Sequence, residues 1–131
     1  MTRQQEQRLL RAARLAAARA HAPYSGFRVG AAVLDERGRV HAGANVENAS
    51  YGLTVCAERA AVSRMVAAGG RRVAAVLVFA DTGTLTPPCG ACLQVLAEFG
   101  ENPRVVLAND RQVERARLRD LLPRPFRPGR D

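Results

Sequence analysis

Tryptophan is absent and aromatic residues make up only 5% of the chain, so few flat side chains are present on which nucleic-acid bases could stack. No stretch approaches the ~20 uninterrupted apolar residues that a membrane-crossing helix needs. The Arg-rich, Ala-rich start also lacks the compact apolar run and cleavage site of a secretory signal. These absences set the expectation of a cytoplasmic protein with no membrane partner. Cysteine is scarce as well: Cys56, Cys89 and Cys92 are three thiols that cannot pair off completely, and cytosolic thiols stay reduced. They read as a metal-binding or catalytic set in preference to a disulfide framework.

What the chain does have is apolar residues and arginine. Its 131 residues are 47% hydrophobic, enough for one domain over 1–131 to bury a core without disulfide staples. The formal charge of +8 would suit an anionic partner. However, the arginines are scattered from Arg3 to Arg130, with only short clusters such as Arg115, Arg117 and Arg119. A solvated basic surface is the simpler reading, and no nucleic-acid partner is expected.

Leucines and alanines recur at helical spacing over residues 4–20, so an amphipathic helix opens the chain, ending near His21, its expected cap, and Pro23. Residues 27–35 and 40–46 flank the turn Glu36-Arg37-Gly38 and read as a hairpin. A polar loop over 48–52 leads to a second helix starting near Val55 or Cys56 and stopping at Gly69-Gly70. Val73–Ala80 is an unbroken apolar run, which marks a central strand buried on both faces. A third helix over 90–99, a strand over 103–108, an edge strand over 112–114 and a short helix holding Leu118, Leu121 and Leu122 complete the pattern. The Pro- and Arg-rich tail from about 127 is expected to pack poorly. A hairpin followed by strands that alternate with helices implies an α/β sandwich around a mixed sheet, with right-handed crossovers.

The chemistry lies in two short segments. In Pro88-Cys89-Gly90-Ala91-Cys92, two thiols three residues apart share one helical face, so one metal can take both. Cys56 falls at the start of its own helix, and at both helix N-termini the dipole and free N–H groups favour thiolates. Zinc suits this donor set: catalytic zinc has three protein ligands and an open position, structural zinc four. A closed site would need His21 or His41 as the fourth ligand. Glu58, two residues after Cys56, can reach a water at the metal without binding the metal, as a proton shuttle does. Arg59, three residues after Cys56, can donate to the thiolates and offset their charge. Taken singly, Cys56 could be a small core residue, Glu58 a carboxylate favoured by the dipole, and Arg59 a surface charge.

Together, Cys-x-Glu and Pro-Cys-x-x-Cys form a zinc deaminase signature with cysteine as first ligand in place of histidine. With Asn45-Val46-Glu47-Asn48-Ala49-Ser50-Tyr51 before Cys56-Ala57-Glu58-Arg59, the chain resembles the small homotetrameric zinc-dependent cytidine deaminases over about residues 23–126. The resemblance implies an α/β fold, a three-layer α/β/α sandwich with a mixed five-stranded sheet. It implies one zinc ion per subunit on Cys56, Cys89 and Cys92, and hydrolysis of cytidine and 2'-deoxycytidine to uridine and 2'-deoxyuridine plus ammonia, in pyrimidine salvage. Glu58 would take a proton from the attacking water, protonate ring N3 and then pass a proton to the departing amino group. Asn45 and Glu47 would bond the ribose hydroxyls, while Phe27 and Ala57 would line the nucleoside pocket and Arg59 would support the thiolates. Ala49 and Tyr51 would come from neighbouring subunits, and Phe126 would reach the pyrimidine across an interface, so a homotetramer is expected. Leu93 and Pro87 depart from the family pattern, which commonly has arginine and a small residue there. Two other readings stay open: a deaminase of a modified base or of an aminonucleoside antibiotic such as blasticidin S, and a zinc-stabilised basic module that binds RNA or DNA.

Overall fold

The structure, a computed structural model, describes residues 1–129. Thr2 opens the first helix with a capping box: its hydroxyl accepts from the Gln5 N–H at 3.1 Å, and the Gln5 side chain accepts from the Thr2 N–H at 2.9 Å. Helix α1 (Arg3–Ala18) follows and buries Leu9, Ala13 and Ala17, a stripe at i, i+4 spacing. It ends two residues before the expected boundary. Arg19 is the C-cap, and His21 does not cap the helix. Instead its backbone is drawn into a bridge: the His21 N–H donates to the Asn45 carbonyl at 3.0 Å, and its own carbonyl accepts from the Glu47 N–H at 2.8 Å.

Strands β1 (Val29–Asp35) and β2 (Val40–Ala44) form the hairpin. Its turn is eased by Gly38, whose φ of +76° lies in the left-handed region that a side chain disfavours. A 3-10 turn (Tyr51–Leu53), α2 (Ala57–Ala67), β3 (Val73–Ala80), α3 (Gly90–Glu98), β4 (Arg104–Ala108), β5 (Val113–Arg117) and α4 (Leu118–Leu121) follow. The sheet order is β2-β1-β3-β4-β5; β3 and β4 are parallel through the α3 crossover, and every other pair is antiparallel. The mixed five-stranded sheet expected from the sequence is therefore present.

The edge strand runs longer than its expected three residues, over Val113–Arg117. Its Val-Glu-Arg-Ala-Arg sequence is almost wholly exposed and carries no hydrophobic alternation, so backbone pairing to β4 defines it. Arg115 and Arg117 thus lie on the strand and Arg119 on α4, separating what reads in sequence as one cluster.

Strand alternation sorts the core into two layers. Ala32, Leu34, Leu77, Phe79 and Val106 pack beneath α1 on one face. Val29, Ala31, Val33, Val76, Val78 and Val105 pack beneath α2, α3 and α4 on the other, which makes the three layers α/β/α. Two glycines set how closely the helices approach. A Cβ on Gly30 would lie 1.9 Å from the Ala13 carbonyl oxygen, so α1 rests on bare β1 backbone. A Cβ on Gly43 would lie 2.5 Å from the Ala61 nitrogen, so β2 admits α2 in the same way.

The hairpin turn is held from beneath by Asp35. Its side chain accepts from the Arg37 and Arg39 N–H groups at 2.8 and 3.0 Å, from Arg39 Nε at 2.8 Å, and lies 2.8 Å from His41 Nε2. Burial opposes a charge there, but bonds to His41, the Arg39 and Arg37 backbone and the Arg39 guanidinium win, holding the carboxyl well below the usual carboxylate range. At the opposite end of β2, Val46 and Val55 exchange two backbone hydrogen bonds of 2.9 Å, which delivers the start of α2 to the end of the strand.

Candidate active site

Cys56 is the N-cap of α2 and Cys89 the N-cap of α3, while Cys92 stands in the first turn of α3. Neither N-cap thiol is used to cap its helix, so both sulfurs are free to face one another. The Cys56 and Cys89 Sγ atoms lie 4.0 Å apart, those of Cys89 and Cys92 3.6 Å, and all three fall within 4.8 Å of one another. Tetrahedral zinc with Zn–S bonds of about 2.3 Å requires sulfurs about 3.8 Å apart, so the donor set fits one zinc ion.

The electrostatics favour a cation at this point. Burial raises the Cys89 thiol, but the Cys92 N–H, the Cys92 and Cys56 thiols and the Ala91 N–H more than reverse this and bring it below its ordinary value. Burial, the nearby Glu58 carboxylate and the other two thiols push Cys92 strongly up. Three thiols and a carboxylate this close cannot all ionise together without positive charge to offset them. Part of that charge is Arg59, whose Nη2 lies 3.5 Å from Cys56 Sγ and 3.4 Å from the Thr54 carbonyl. Its Nε is buried beside the cluster without a hydrogen-bond partner.

Glu58 occupies the first turn of α2 and is only 5% exposed. Burial raises its carboxyl above the ordinary glutamate value, while its own backbone N–H and Arg59 pull partly the other way. Ala57, beside it, is fully buried. Neither histidine joins the cluster: His41 is engaged with Asp35, and among the described residues the grouped metal ligands here are the three cysteines alone. A closed four-ligand site thus finds no fourth protein ligand among the described residues.

The residues expected around a nucleoside lie on loops flanking this centre. Glu47 accepts from the Tyr24 and Ser25 N–H groups at 2.9 and 3.1 Å and from the Ser25 hydroxyl, which holds its carboxyl below the usual range. Ser25 Oγ in turn accepts from the Phe27 N–H at 3.0 Å. Asn45 is buried and ties down the entry to β1: its Oδ1 accepts from the Val29 N–H at 2.9 Å and its Nδ2 donates to the Phe27 carbonyl at 2.8 Å. One amide hydrogen of Asn45 is left over. Tyr24, Ser25, Glu47, Tyr51 and Thr54 line a cavity of about 290 Å³, with the Tyr24 and Tyr51 rings edge to face at 5.8 Å. Phe27, Ala49, Tyr51 and Phe126 are all exposed, Tyr51 by 74% and Phe126 by 76%.

Two residues of this region are not singled out by the sequence. Ser25 reads only as turn polarity, and Gln94 only as a polar helix position, yet Gln94 holds the backbone of Phe126. Leu93 packs into the core of its own chain, so its departure from the family pattern points inward, whereas Pro87 is exposed.

Residues 3–109 match the family model described as the cytidine and deoxycytidylate deaminase zinc-binding region. The chain is 49% identical over 109 residues to a cytidine deaminase of Halalkalibacterium halodurans, covering 82% of this chain and 83% of that protein. It is 49% identical over 111 residues to a cytidine deaminase of Mycobacterium tuberculosis, covering 85% and 81%. Among solved structures, a cytidine deaminase from Burkholderia pseudomallei superposes with a TM-score of 0.88 at 46% identity, covering 96% of this chain and 100% of that one. With its three-thiol centre, its buried glutamate and its mixed sheet, the chain belongs to the cytidine and deoxycytidylate deaminase family.

Proposed function

We propose that the protein is a zinc-dependent cytidine deaminase that hydrolyses cytidine and 2'-deoxycytidine to uridine and 2'-deoxyuridine with release of ammonia, in pyrimidine salvage. The observation that carries this reading is the buried Glu58 carboxyl in the same helix turn as Cys56, next to a thiol cluster sized for one ion. A purely structural zinc clip has no use for a buried carboxylate outside its ligand set.

Cys56, Cys89 and Cys92 hold the zinc, which when bound supplies the Lewis acidity that makes a water nucleophilic near neutral pH. Glu58 takes a proton from the attacking water and delivers it to N3 of the cytosine ring, so that C4 becomes electrophilic as the new C–O bond forms. It then passes the second proton to the exocyclic nitrogen, the C4–N bond breaks, and ammonia leaves. Burial suits Glu58 to both directions of transfer, because a raised carboxyl pKa brings donor and acceptor forms closer in energy near neutral pH. Arg59 and the N-termini of α2 and α3 offset the thiolate charge that would otherwise make the water harder to ionise.

Glu47 and the free amide hydrogen of Asn45 meet the ribose hydroxyls, and Phe27 and Ala57 flank the nucleoside. Ala49, Tyr51 and Phe126 find their partners in neighbouring subunits, so the working form of this single-domain cytoplasmic enzyme is a homotetramer. The exposure of all three residues, with Tyr51 lining an open cavity, supports that reading.

Ammonia release from cytidine, 2'-deoxycytidine, cytosine, blasticidin S and a cytidine-containing oligonucleotide tests the assignment. Both nucleosides should turn over, and cytosine should react at least about a hundredfold more slowly, because it leaves the ribose-binding groups unpaired. Equal rates on cytosine and cytidine, or a preference for the antibiotic or the oligonucleotide, would overturn it.

A further inference from the structure

The C-terminal segment leaves α4 at Leu121 and carries Pro123, Pro125 and Pro128, so it has few backbone donors of its own and forms no regular element. It is nevertheless fixed at one point. The side-chain amide of Gln94 donates from Nε2 to the Phe126 carbonyl at 2.9 Å and accepts at Oε1 from the Phe126 N–H at 3.0 Å. Both hydrogen-bonding groups of one residue's backbone are therefore engaged by one planar amide, 32 positions away in sequence. Such a two-point bond fixes the orientation of the peptide as well as its position. Phe126 nonetheless remains 76% exposed while Leu121, Leu122 and Pro125 are partly covered. Gln94 lies on α3 two residues after Cys92, so the clamp joins the C-terminal segment to the helix that carries two of the three thiols.

We propose that Gln94 is a positioning residue for substrate binding: it locks the Phe126 backbone to α3 so that the ring is held outward, ready to close over a pyrimidine. This rests on the reading of Phe126 as a substrate contact across a subunit interface. An apolar ring on a free tail would spend most of its time elsewhere, and ordering it on each binding event would cost affinity; a preformed clamp removes that cost in advance. Gln94 touches neither substrate nor metal in this scheme, so its loss should act on binding and leave the chemical step alone.

The test compares steady-state deamination by the zinc-loaded enzyme and its Gln94→Leu, Gln94→Glu, Phe126→Ala and Gln94→Leu/Phe126→Ala variants, with zinc content measured on each. Gln94→Leu should raise KM for cytidine about tenfold with kcat within about twofold of the parent and zinc unchanged. Gln94→Glu should behave alike, because a carboxylate still accepts from the Phe126 N–H but repels its carbonyl. The double variant should be no worse than Phe126→Ala alone. Chymotrypsin should also cut after Phe126, before Arg127, faster in Gln94→Leu than in the parent. Additive losses in the double variant, or a Gln94→Glu enzyme with parental KM, would overturn the clamp. A parental KM in Phe126→Ala would instead overturn the reading of Phe126 on which it rests.

Discussion

Arg59 shows how much a single residue can be asked to do here. Its guanidinium is drawn to Cys56 Sγ at 3.5 Å and to the Thr54 carbonyl at 3.4 Å, and the neighbouring thiols hold its charge more firmly than in water. Replacing it with glutamine keeps a donor but removes a charge from beside three thiolates. Arg59→Gln should bind zinc yet lower kcat on the order of tenfold, read from initial rates and metal analysis on the same preparation. Unchanged turnover would mean that the thiolate charge is offset elsewhere. This part of the site is legible in the sequence because Cys56, Glu58 and Arg59 sit within one helical turn, where spacing alone fixes who faces whom. The Ser25–Glu47 and Gln94–Phe126 contacts span 22 and 32 positions, and no local pattern records them. A serine in a turn and a glutamine on a helix look the same whether solvated or bonded.

Among the elements, the β1–β2 hairpin makes a claim about pH. Asp35 has a depressed pKa in the folded protein, so the stability it contributes is complete above its unfolded value near 3.9 and is lost as pH falls from there toward the folded value. Asp35→Asn should therefore cost about 2–4 kcal/mol at neutral pH, since it leaves the Arg39 guanidinium and the buried His41 ring without their carboxylate. The gap between parent and variant should narrow in urea unfolding below about pH 4. A gap that stayed constant across that range would show that Asp35 contributes nothing through its charge.

Element types were readable where hydrophobic pattern dominates, as in Val73–Ala80 and the apolar stripe of α1. They were less so where backbone pairing decides the outcome. β5 is defined by its bonds to β4 despite a sequence of exposed charged residues, and the end of α1 is set by the bridge that captures His21. Gly30 and Gly43 read in sequence only as small strand residues, because the helix backbone each one admits is distant along the chain.

At the scale of the whole molecule, several large apolar side chains are left exposed. Tyr51, Leu53 and Phe126 are each at least 66% exposed; the first two lie just before Cys56 in the chain, and the third is bonded to Gln94 on α3. The proposed homotetramer covers them and completes each site. Light scattering should return the mass of four chains, and Tyr51→Arg should give smaller species that have lost most of their turnover, since a charge cannot be buried there without a partner. A fully active monomer would contradict that assembly. The net charge of +8 has no comparable structural focus: all 20 basic residues are arginine, and several are spent on separate ion pairs, Arg14 with Asp110, Arg115 with Glu6 and Arg119 with Glu101. These three arginines are engaged locally.

On the proposed mechanism the three-thiol centre is catalytic because Glu58 stands beside it. That role is tested most directly by measuring zinc content and cytidine turnover together on the parent and on Glu58→Gln, which keeps the side chain's shape and removes its ability to carry a proton. Both proteins should hold about one zinc per chain, and kcat should be at least about a thousandfold lower in the variant. A zinc-loaded Glu58→Gln enzyme that deaminates cytidine at the parental rate would contradict it.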